Sequence, residues 1–494
     1  MGLREFFEPE SIAVIGASRE ENKPGHVIFR LLKENRDKGT LKAKVYPVNP
    51  KAKELLGEPC YPSIGDIPDK VSLAVIVVPA LIVPKVIEDC GKKGAKSAIV
   101  ISAGFSEVGN RRLEEELLTK ARKYGIRILG PNCIGVLNPW TGVDTIFLPY
   151  FKVLKNGRKL LSTPRPKPGH IAFLSQSGAF ATAAMDYMAG EKLGLRALVS
   201  YGNKADVDEA DLIEYFGSDE KTRTILMYIE SLERGRKVIE VASKVTLRKP
   251  IVALKAGRTK AGVRAAASHT AALAGVDEIY EAAFRKAGII RAYDMEQLFD
   301  LAKALSMQPP AKGGRVAIVT DGGGAGVMTT DECELNGLIV PELTGEDREK
   351  LEKLKKEKII PQFASLRNPI DLTGSATSEM YVESIEILME SKNIDLIIVL
   401  ALHQVPGIED PIELAEQVVK IQREYNFSKP IVAVDTGWSE AAVCTRETFD
   451  EGLIPSYPTP ERAARVAAAL YRYGNYLRKK GELESYLKRW HPAI

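Results

Sequence analysis

The chain has 494 residues, 45% hydrophobic and 27% charged, which is the balance of a globular protein with room for about three domains. Its formal net charge of +4 is small for this length and gives no argument for binding nucleic acid. The five cysteines form no CxxC pair, the N-terminus has no apolar signal core, and no stretch reaches the ~18 apolar residues of a membrane span. We therefore expect a soluble, cytoplasmic protein with no metal site, no disulfide framework and no membrane contact.

Short β-branched segments alternate with longer amphipathic segments along nearly the whole chain, a pattern typical of parallel α/β domains. The first predicted strands are S-I-A-V-I-G, K-V-Y-P-V-N, L-A-V-I-V-V-P, S-A-I-V-I-S and R-I-L-G-P-N. Helices are predicted between them, for example over residues 84–93 and 111–124. With right-handed crossovers these elements make one doubly wound, Rossmann-like sheet, so we predict a first domain over residues 1–150.

Two breaks divide the rest of the chain. Residues 151–168 are basic, close on P-R-P-K-P-G and lack periodicity, which indicates a linker whose charge is more typical of solvation than of a binding site. A second domain, 169–310, runs from H-I-A-F-L-S-Q-S-G to a helix near 298–307. After Q-P-P-A-K-G-G, a third domain, 311–494, opens with R-V-A-I-V-T-D-G-G-G-A-G. The predicted fold class is α/β, with three doubly wound parallel-sheet domains in series.

The turn after the first strand, V-I-G-A-S-R-E-E-N-K-P-G, lacks the G-x-G-x-x-G fingerprint of dinucleotide-binding domains. The second strand also ends without the acidic residue that would bond a ribose diol. Instead Lys51 lies just beyond it, and a cation there suits an extra phosphate, as on coenzyme A, better than the 2′-hydroxyl of NAD. The backbone N–H groups from Gly16 to Ser18 and the helix start near Gly25 could hold a phosphate. The alternative is a tight turn at the edge of a sheet.

In the second domain, S-Q-S-G-A-F joins a strand to a helix. Ser177 and Gly178 would present a hydroxyl and an amide donor at the helix N-terminus, which attracts anions. The first glycine of G-x-S-x-G is missing, so a serine esterase is the weaker interpretation. In the third domain, residues 321–331 read D-G-G-G-A-G-V-M-T-T-D without the Lys-Ser/Thr pair of a Walker A loop, and favour a backbone-packing role.

One histidine of the five, His269, lies in the run A-A-A-S-H-T-A-A-L-A-G, whose small residues offer no bulky packing partners. It follows by about 40 residues the predicted strand I-L-M-Y-I-E, which ends in Glu230. A carboxylate at the end of a nearby strand could hold one imidazole nitrogen and leave the other free as a nucleophile. The alternative is an ordinary hydrogen-bonded histidine in a loop.

Taken together and in this order, the motifs resemble a known family. They are G-A-S-R-E, Y-P-V-N-P-K, I-S-A-G-F-S-E, G-P-N-C-I-G, L-S-Q-S-G-A-F, Y-I-E-S and A-S-H-T-A-A-L-A-G. The chain resembles the alpha subunits of ADP-forming acetyl-CoA synthetases, which are NDP-forming acyl-CoA synthetases of the succinyl-CoA synthetase superfamily. The resemblance covers nearly the whole chain. It implies a Rossmann-like CoA-binding domain, a flavodoxin-like ligase domain carrying the histidine, and a second flavodoxin-like domain.

The resemblance also implies roles for individual residues. His269 would be phosphorylated during turnover, Glu230 would hold its imidazole, and Ser177 and Gly178 would receive the phosphohistidine. Thr182 falls where succinyl-CoA synthetase has a tyrosine near the thioester, so acyl specificity cannot be carried over. The residues matching CoA contacts are Gly16, Ala17, Ser18, Arg19, Lys51, Ile101, Ser102 and Ala103.

The implied reaction converts acyl-CoA, with acetyl-CoA as the first candidate, phosphate and ADP into the acid, CoA and ATP through an acyl phosphate and a phosphohistidine. Three sheets leave no room for an ATP-grasp domain. The resemblance therefore implies that ADP or ATP and magnesium bind to a separate ATP-grasp beta subunit in an α2β2 assembly. Two other interpretations stay open: a non-catalytic protein that senses CoA or acyl-CoA, and an NAD(P)-dependent dehydrogenase, which the first turn and Lys51 disfavour.

Overall fold

The structure is a computed structural model that describes residues 2–270 and 276–492, without the side chains of residues 266–270. The chain folds into two compact units, Met1–Tyr293 and Asp294–Ile494. In the described parts of the chain, every helix is too short or too polar to cross a membrane.

The first unit contains two large sheets and the helices that cover them. Its helices are α1 (Arg4–Phe7), α2 (Pro24–Asp37), α3 (Val83–Lys93), α4 (Arg111–Tyr124), α5 (Gly178–Gly190), α6 (Glu209–Ser218), α7 (Gly235–Val245), α8 (Lys260–Thr270) and α9 (Asp277–Ala287). Its strands are β1 (Ser11–Ile15), β2 (Lys44–Val48), β3 (Glu54–Leu55), β4 (Glu58–Pro59), β5 (Leu73–Ile76), β6 (Ser97–Val100), β7 (Arg127–Leu129), β8 (Gly135–Asn138), β9 (Val143–Asp144), β10 (Phe151–Val153), β11 (Lys159–Leu161), β12 (Pro168–Ser175), β13 (Leu195–Ser200), β14 (Thr224–Ile229), β15 (Ile251–Lys255) and β16 (Ile290–Ala292).

The first sheet has the strand order β2-β1-β5-β6-β7 and is parallel throughout. Every residue of β1, β5 and β6 is buried because helices cover both faces, which explains why these strands are apolar except for Ser11 and Ser97. The order reverses between β1 and β5. In open α/β sheets, ligands bind outside the carboxyl ends of the strands at such a reversal.

The second sheet has the order β16-β15-β14-β12-β13-β8-β9. Strands β12 to β16 are parallel, whereas β8 and β9 join the edge in antiparallel pairs. These two strands come from the stretch that the sequence assigned to the first domain. The two sheets of this unit are therefore linked through the chain between β7 and β10.

The basic segment 151–168, expected to lack regular structure, contains the antiparallel hairpin β10–β11. Phe151, Val153 and Leu161 on this hairpin are exposed. The side chain of Arg165, just beyond the hairpin, is 5% exposed and donates a hydrogen bond of 2.9 Å to Asp144. At least one of the basic side chains therefore has a structural role.

The second unit is a single sheet with helices on both faces. Its helices are α10 (Met295–Met307), α11 (Gly323–Leu335), α12 (Gly345–Lys356), α13 (Ser378–Glu390), α14 (Pro411–Glu424), α15 (Glu440–Glu451), α16 (Pro460–Lys479) and α17 (Leu483–Arg489). Its strands are β17 (Val316–Thr320), β18 (Ile370–Asp371), β19 (Leu396–Leu400), β20 (Ile431–Val434) and β21 (Ser456–Tyr457), in the parallel order β18-β17-β19-β20-β21.

Helix α10, which the sequence placed at the end of the second domain, belongs to this second unit. Its Asp300 forms a buried ion pair with Arg462 of α16, at 2.6 Å. The predicted fold class, α/β with three doubly wound parallel sheets, is confirmed. The antiparallel strands β8 and β9 are an addition to it.

Candidate functional site

A cleft of about 580 Å³ in the first unit lies where the carboxyl ends of the first sheet face the start of α5. Ile101, Ser102 and Ala103, which follow β6, line one side of it. Ser177 and Gly178, at the start of α5, line the other. The fold therefore brings together two predicted sets of residues, one for CoA and one for phosphate, that are more than 70 residues apart in the sequence.

The turn after β1 is packed too tightly for side chains at two positions. Gly16 has a φ of +94°, and a Cβ there would lie 2.2 Å from the carbonyl oxygen of Val77. A Cβ on Gly25 would lie 2.1 Å from the carbonyl oxygen of Gly16. The first turn of α2 is therefore held directly against the β1 turn, and Pro24, its first residue, lines the cleft.

The other residues predicted to bind CoA lie at the same edge of the sheet. Asn49, just beyond β2, donates to the carbonyl of Ala17 at 2.7 Å and accepts the N–H of Lys51 at 2.8 Å. Ser18 and Arg19 follow in the same turn, and the Ser18 carbonyl lies 2.8 Å from His26 Nδ1. Gly16 to Arg19 and Lys51 are not among the residues that line the cleft itself; they adjoin it through Pro24.

The wall formed by β5 and β6 is held by Ser102. Its hydroxyl donates to the Val78 carbonyl at 2.5 Å and accepts the Val78 N–H at 3.2 Å. The Ser102 carbonyl accepts the N–H of Asn132 at 3.0 Å. Asn132 also lines the cleft. One serine thus fixes the relative positions of three segments at the mouth of the predicted CoA site.

The opposite wall is the N-terminus of α5. Ser177 is its N-cap, and its hydroxyl accepts the N–H of Phe180 at 3.3 Å. The N–H groups of Gly178 and Ala179 have no intrahelical acceptor, and both residues line the cleft. Such a helix end stabilises an anion by about 0.3–1 kcal/mol when exposed. Thr182 donates to the Gly178 carbonyl at 3.0 Å and is not among the lining residues.

Glu230 lies beyond the end of β14, next to this helix start, and is 4% exposed. The hydroxyl of Tyr228 lies 3.3 Å from its carboxylate and donates to it. The ring of Tyr228 stacks on Phe180 of α5 with 4.1 Å between centroids. Burial, and then the Glu230 charge, raise the pKa of Tyr228, so the phenol stays protonated as a donor. A carboxylate is therefore fixed beside the predicted phosphate site.

The predicted nucleophile lies on α8. The backbone of residues 260–270 is helical, whereas the sequence predicted a loop around His269. The side chain of His269 lies outside the described part of the structure, and so do residues 271–275 of the same motif. The predicted contact between His269 and Glu230 therefore stays a prediction.

Sequence reasoning missed two buried polar residues of the cleft. Gln176 accepts the N–H groups of Glu230 and Ser231, at 2.9 and 3.1 Å. Lys204 donates to the Ser231 carbonyl at 2.7 Å and to the Glu209 carboxylate at 3.0 Å. The sequence contains only a glutamine before Ser177 and a lysine in the turn G-N-K-A-D, with no sign that the two segments meet.

The second unit has its own polar cluster at the carboxyl edge of its sheet. Asp321, after β17, is 4% exposed, and burial raises its pKa to about 6. His403 Nδ1 lies 2.8 Å from Asp435, and its Nε2 lies 2.8 Å from the Ser439 hydroxyl. Ser439 also caps α15 by accepting the N–H of Ala442 at 3.2 Å. This chain of hydrogen bonds ties together the ends of β19 and β20 and the start of α15.

Within the described residues, no group of three or more histidine, cysteine, aspartate and glutamate side chains is placed to hold a metal ion. Glu107, which is not one of the residues that line the cleft, accepts a hydrogen bond of 2.6 Å from the lining residue Asn203.

Three family models match successive parts of the chain. They are a CoA binding domain over residues 10–139, a succinyl-CoA ligase like flavodoxin domain over 168–305 and a ligase-CoA domain over 316–479. The acetate–CoA ligase [ADP-forming] I subunit alpha of Pyrococcus furiosus is 42% identical over 489 residues, which is 98% of this chain and 100% of the relative. The acetate–CoA ligase [ADP-forming] of Methanocaldococcus jannaschii is 40% identical over 98% of this chain, which spans 65% of that longer relative.

A solved structure is similar over the same extent. It is the dinucleotide forming acetyl-coenzyme A synthetase 1 of Ca. Korarchaeum cryptofilum in complex with phosphate and ADP. It has a TM-score of 0.86 and 42% sequence identity, and the match covers 98% of this chain and 99% of that one.

Proposed function

The chain belongs to the family of ADP-forming acetate–CoA ligases, and we propose that it is the subunit in which acyl-CoA, phosphate and a histidine react. The family predicted from the motifs is confirmed. The names of the relatives support a ligase over a non-catalytic CoA-sensing protein. The match to a CoA binding domain also favours CoA over a nicotinamide cofactor.

The observation that carries this proposal is the cleft itself. It lies between the carboxyl edge of the first sheet, where we expect CoA to bind, and the N-terminus of α5, which can bind an anion. The side chains after β6 are small at Ser102 and Ala103, which leaves room for the thiol end of CoA. The close contact between Gly16 and Gly25 holds the N-terminus of α2 where a pyrophosphate fits. Lys51 is exposed at the same edge and suits a further phosphate. The residues present therefore fit CoA as a substrate.

The reaction begins at the thioester. An oxygen of phosphate attacks the acyl carbon, the carbon–sulfur bond breaks, and CoA leaves as a thiol after taking up a proton. The product is an acyl phosphate. The N-terminus of α5, with Ser177 and Gly178, lies where it can stabilise the negative charge of the phosphate. Positioning and electrostatics of this kind supply most of the acceleration in phosphoryl transfer.

In the second step, a ring nitrogen of His269 attacks phosphorus, the phosphorus–oxygen bond to the acyl group breaks, and the carboxylic acid leaves as its anion. Glu230 holds the other nitrogen, fixes the tautomer and stabilises the positive charge that develops on the ring. In the third step, a terminal oxygen of ADP attacks phosphorus and the phosphorus–nitrogen bond breaks. ATP is released and His269 is restored.

We assign the nucleotide step to a second chain. This chain spans 65% of the M. jannaschii relative, so about a third of that relative lies outside the match, whereas the P. furiosus relative, covered to 100%, is named a subunit alpha. The partner in this proposal is an ATP-grasp beta subunit that binds ADP or ATP with magnesium, in an α2β2 assembly. Five cysteines without disulfides agree with a cytoplasmic enzyme.

The test is ATP synthesis from acetyl-CoA, phosphate and ADP in the presence of the candidate beta subunit. We expect His269→Asn to abolish turnover while CoA still binds, since the residues assigned to CoA belong to other motifs of the chain. His170→Asn is the matched control, because its Nδ1 contacts the Lys221 carbonyl at 2.8 Å away from the cleft, and it should leave turnover unchanged. ATP synthesis by His269→Asn at the wild-type rate would refute the proposed function.

A further inference from the structure

We propose that Lys204 is a positioning residue that fixes the turn carrying Glu230 and joins that turn to the CoA-binding sheet. The inference rests on the proposed role of Glu230. Lys204 touches neither the reacting atoms nor a bound ligand in this account. It acts by holding the backbone from which the Glu230 carboxylate projects.

The first reason is that the ammonium group of Lys204 is buried. Its side chain is 3% exposed and pairs with the carboxylate of Glu209, which is 1% exposed. Removing two charges from water is costly, and a buried pair is often no more stabilising than apolar residues of the same size. Burial also raises the pKa of Glu209, whereas the nearby Lys204 ammonium lowers it. A pair of this kind at a cleft is better explained by the geometry it imposes than by stability.

The second reason is what the ammonium holds. Lys204 Nζ donates to the carbonyl of Ser231 at 2.7 Å, immediately after Glu230. From the other side, Gln176 Oε1 accepts the N–H groups of both residues. The peptide groups that flank the Cα of Glu230 and Ser231 are therefore clamped between two side chains from different strand ends. The direction of the Glu230 side chain follows from that backbone.

The third reason is that the segment containing Lys204 is itself bonded to the first sheet. The N–H of Asn203 donates to the Pro131 carbonyl at 2.9 Å, and the N–H of Ala205 to the Gly130 carbonyl at 3.1 Å. A Cβ on Gly202 would lie 2.3 Å from the carbonyl oxygen of Asn132. The two backbones are in direct contact and hydrogen-bonded, so the loop after β13 and the loop after β7 must move together.

Lys204 also adopts a backbone conformation that a non-glycine residue avoids, with a φ of +49°. Such a conformation persists only where the surroundings determine it. Here the ion pair with Glu209 and the bond to Ser231 supply that constraint. Asn203 and Lys204 both line the cleft, so the segment lies between the CoA-binding wall and the Glu230 turn. The inference is that one short rigid segment sets the distance between them.

The test is the rate at which the chain acquires label from acetyl-CoA and radiolabelled phosphate. Lys204→Met keeps the length of the side chain and removes the charge and the donors. We expect its labelling rate to fall by about 10- to 100-fold, since misplacing a catalytic group by about 1 Å can cost that much. The KM for acetyl-CoA should stay within about twofold, because the CoA-binding edge is unchanged. The labelling rate of Lys204→Gln, which keeps an N–H donor, should lie between the rates of the wild type and Lys204→Met.

A double-mutant cycle separates positioning from simple destabilisation. If Lys204 acts through Glu230, Lys204→Met should have no further effect in the Glu230→Gln background. The matched control is Lys249→Met, which removes a partly buried lysine that donates to the Phe216 carbonyl at 3.1 Å, away from the cleft. Its effect should be small in both backgrounds.

Each outcome decides the inference. Equal factors for Lys204→Met in the wild-type and Glu230→Gln backgrounds would overturn it, and so would a wild-type labelling rate in Lys204→Met. If Lys204→Met does not fold, judged by its circular dichroism, Lys204→Gln is taken through the same cycle with the same criteria. Failure of the wild-type chain to acquire any label would refute the proposed function instead, so the two failures are distinguishable.

Discussion

Replacing Gly25 by alanine should displace the helix start that we assign to the pyrophosphate of CoA. The added Cβ would lie 2.1 Å from the carbonyl oxygen of Gly16, whereas ordinary contacts begin at 3.4 Å, so the backbone has to move by roughly 1 Å. Overpacking of this kind costs about 1–3 kcal/mol. Alanine is favoured over glycine in a helix by about 0.5–1 kcal/mol, which offsets only part of that. The cost of the clash exceeds the gain in helix propensity, so we expect Gly25→Ala to lower the stability of the protein.

If α2 moves away to relieve the clash, the loss appears in CoA binding. We expect the dissociation constant for CoA to rise about 5- to 150-fold, the range that corresponds to about 1–3 kcal/mol. Isothermal titration calorimetry with CoA measures this, and urea unfolding gives the change in stability. Gly190→Ala in α5 is the control, because a Cβ there meets nothing within 4 Å. If Gly25→Ala binds CoA as tightly as wild type, the assignment of this turn to CoA is wrong.

The remaining predictions concern stability and the phosphate site. Arg462→Met should destabilise the second unit by about 3–5 kcal/mol, because it removes the arginine that pairs with the buried carboxylate of Asp300. The control is Arg4→Met, which breaks an ion pair whose side chains are 76% and 35% exposed and should cost less than about 1 kcal/mol. Urea unfolding measures both changes. Burial raises the pKa of Asp321 to about 6, above its unfolded value, so the folded state keeps the proton and stability is lost as the pH rises towards 6. Asp321→Asn cannot lose a proton, so its free energy of unfolding relative to wild type should rise by roughly 2–3 kcal/mol between pH 4 and pH 7. If the stability difference between the two proteins is the same at both pH values, the raised pKa of Asp321 is wrong. Ser177→Ala, which removes the cap of α5, should lower stability by about 1 kcal/mol and weaken the protection of the helix by bound phosphate in hydrogen exchange.

The fold could be predicted because the buried strands stand out in the sequence as short, mainly apolar segments. Parallel strands buried on both faces are mainly apolar, and β1, β5 and β6 are apolar at every position except Ser11 and Ser97, the first residues of β1 and β6. The candidate sites could be predicted as well, because the turns after β1, β6 and β12 contain small residues. Each of these turns lies at the carboxyl edge of the parallel strands of its sheet. The cleft joins Ile101 to Ala103 with Ser177 and Gly178, and the roles of these residues in binding CoA and phosphate stay predictions.

What could not be predicted depends on contacts between distant segments. Strands β8 and β9 are short and pair with a sheet built from later sequence, so no local pattern indicates their partner. The hairpin β10–β11 has strands of three residues with exposed apolar side chains, which carry no clear alternation. From the sequence alone, Lys204 would be expected to be a solvent-exposed residue in a turn. Its contact with Ser231 is visible only in the folded structure. The contact of Gln176 with the Glu230 turn also joins distant segments, so the sequence does not reveal it.

The claim that a histidine of this chain carries phosphate is tested most directly by incubating the purified chain with acetyl-CoA and radiolabelled phosphate, then mapping the label by mass spectrometry. We expect an acid-labile, base-stable phosphate on the peptide that contains His269, and we expect ATP to form from it when ADP, magnesium and the beta subunit are added. Label on another residue, or none while ATP is still formed, would contradict it.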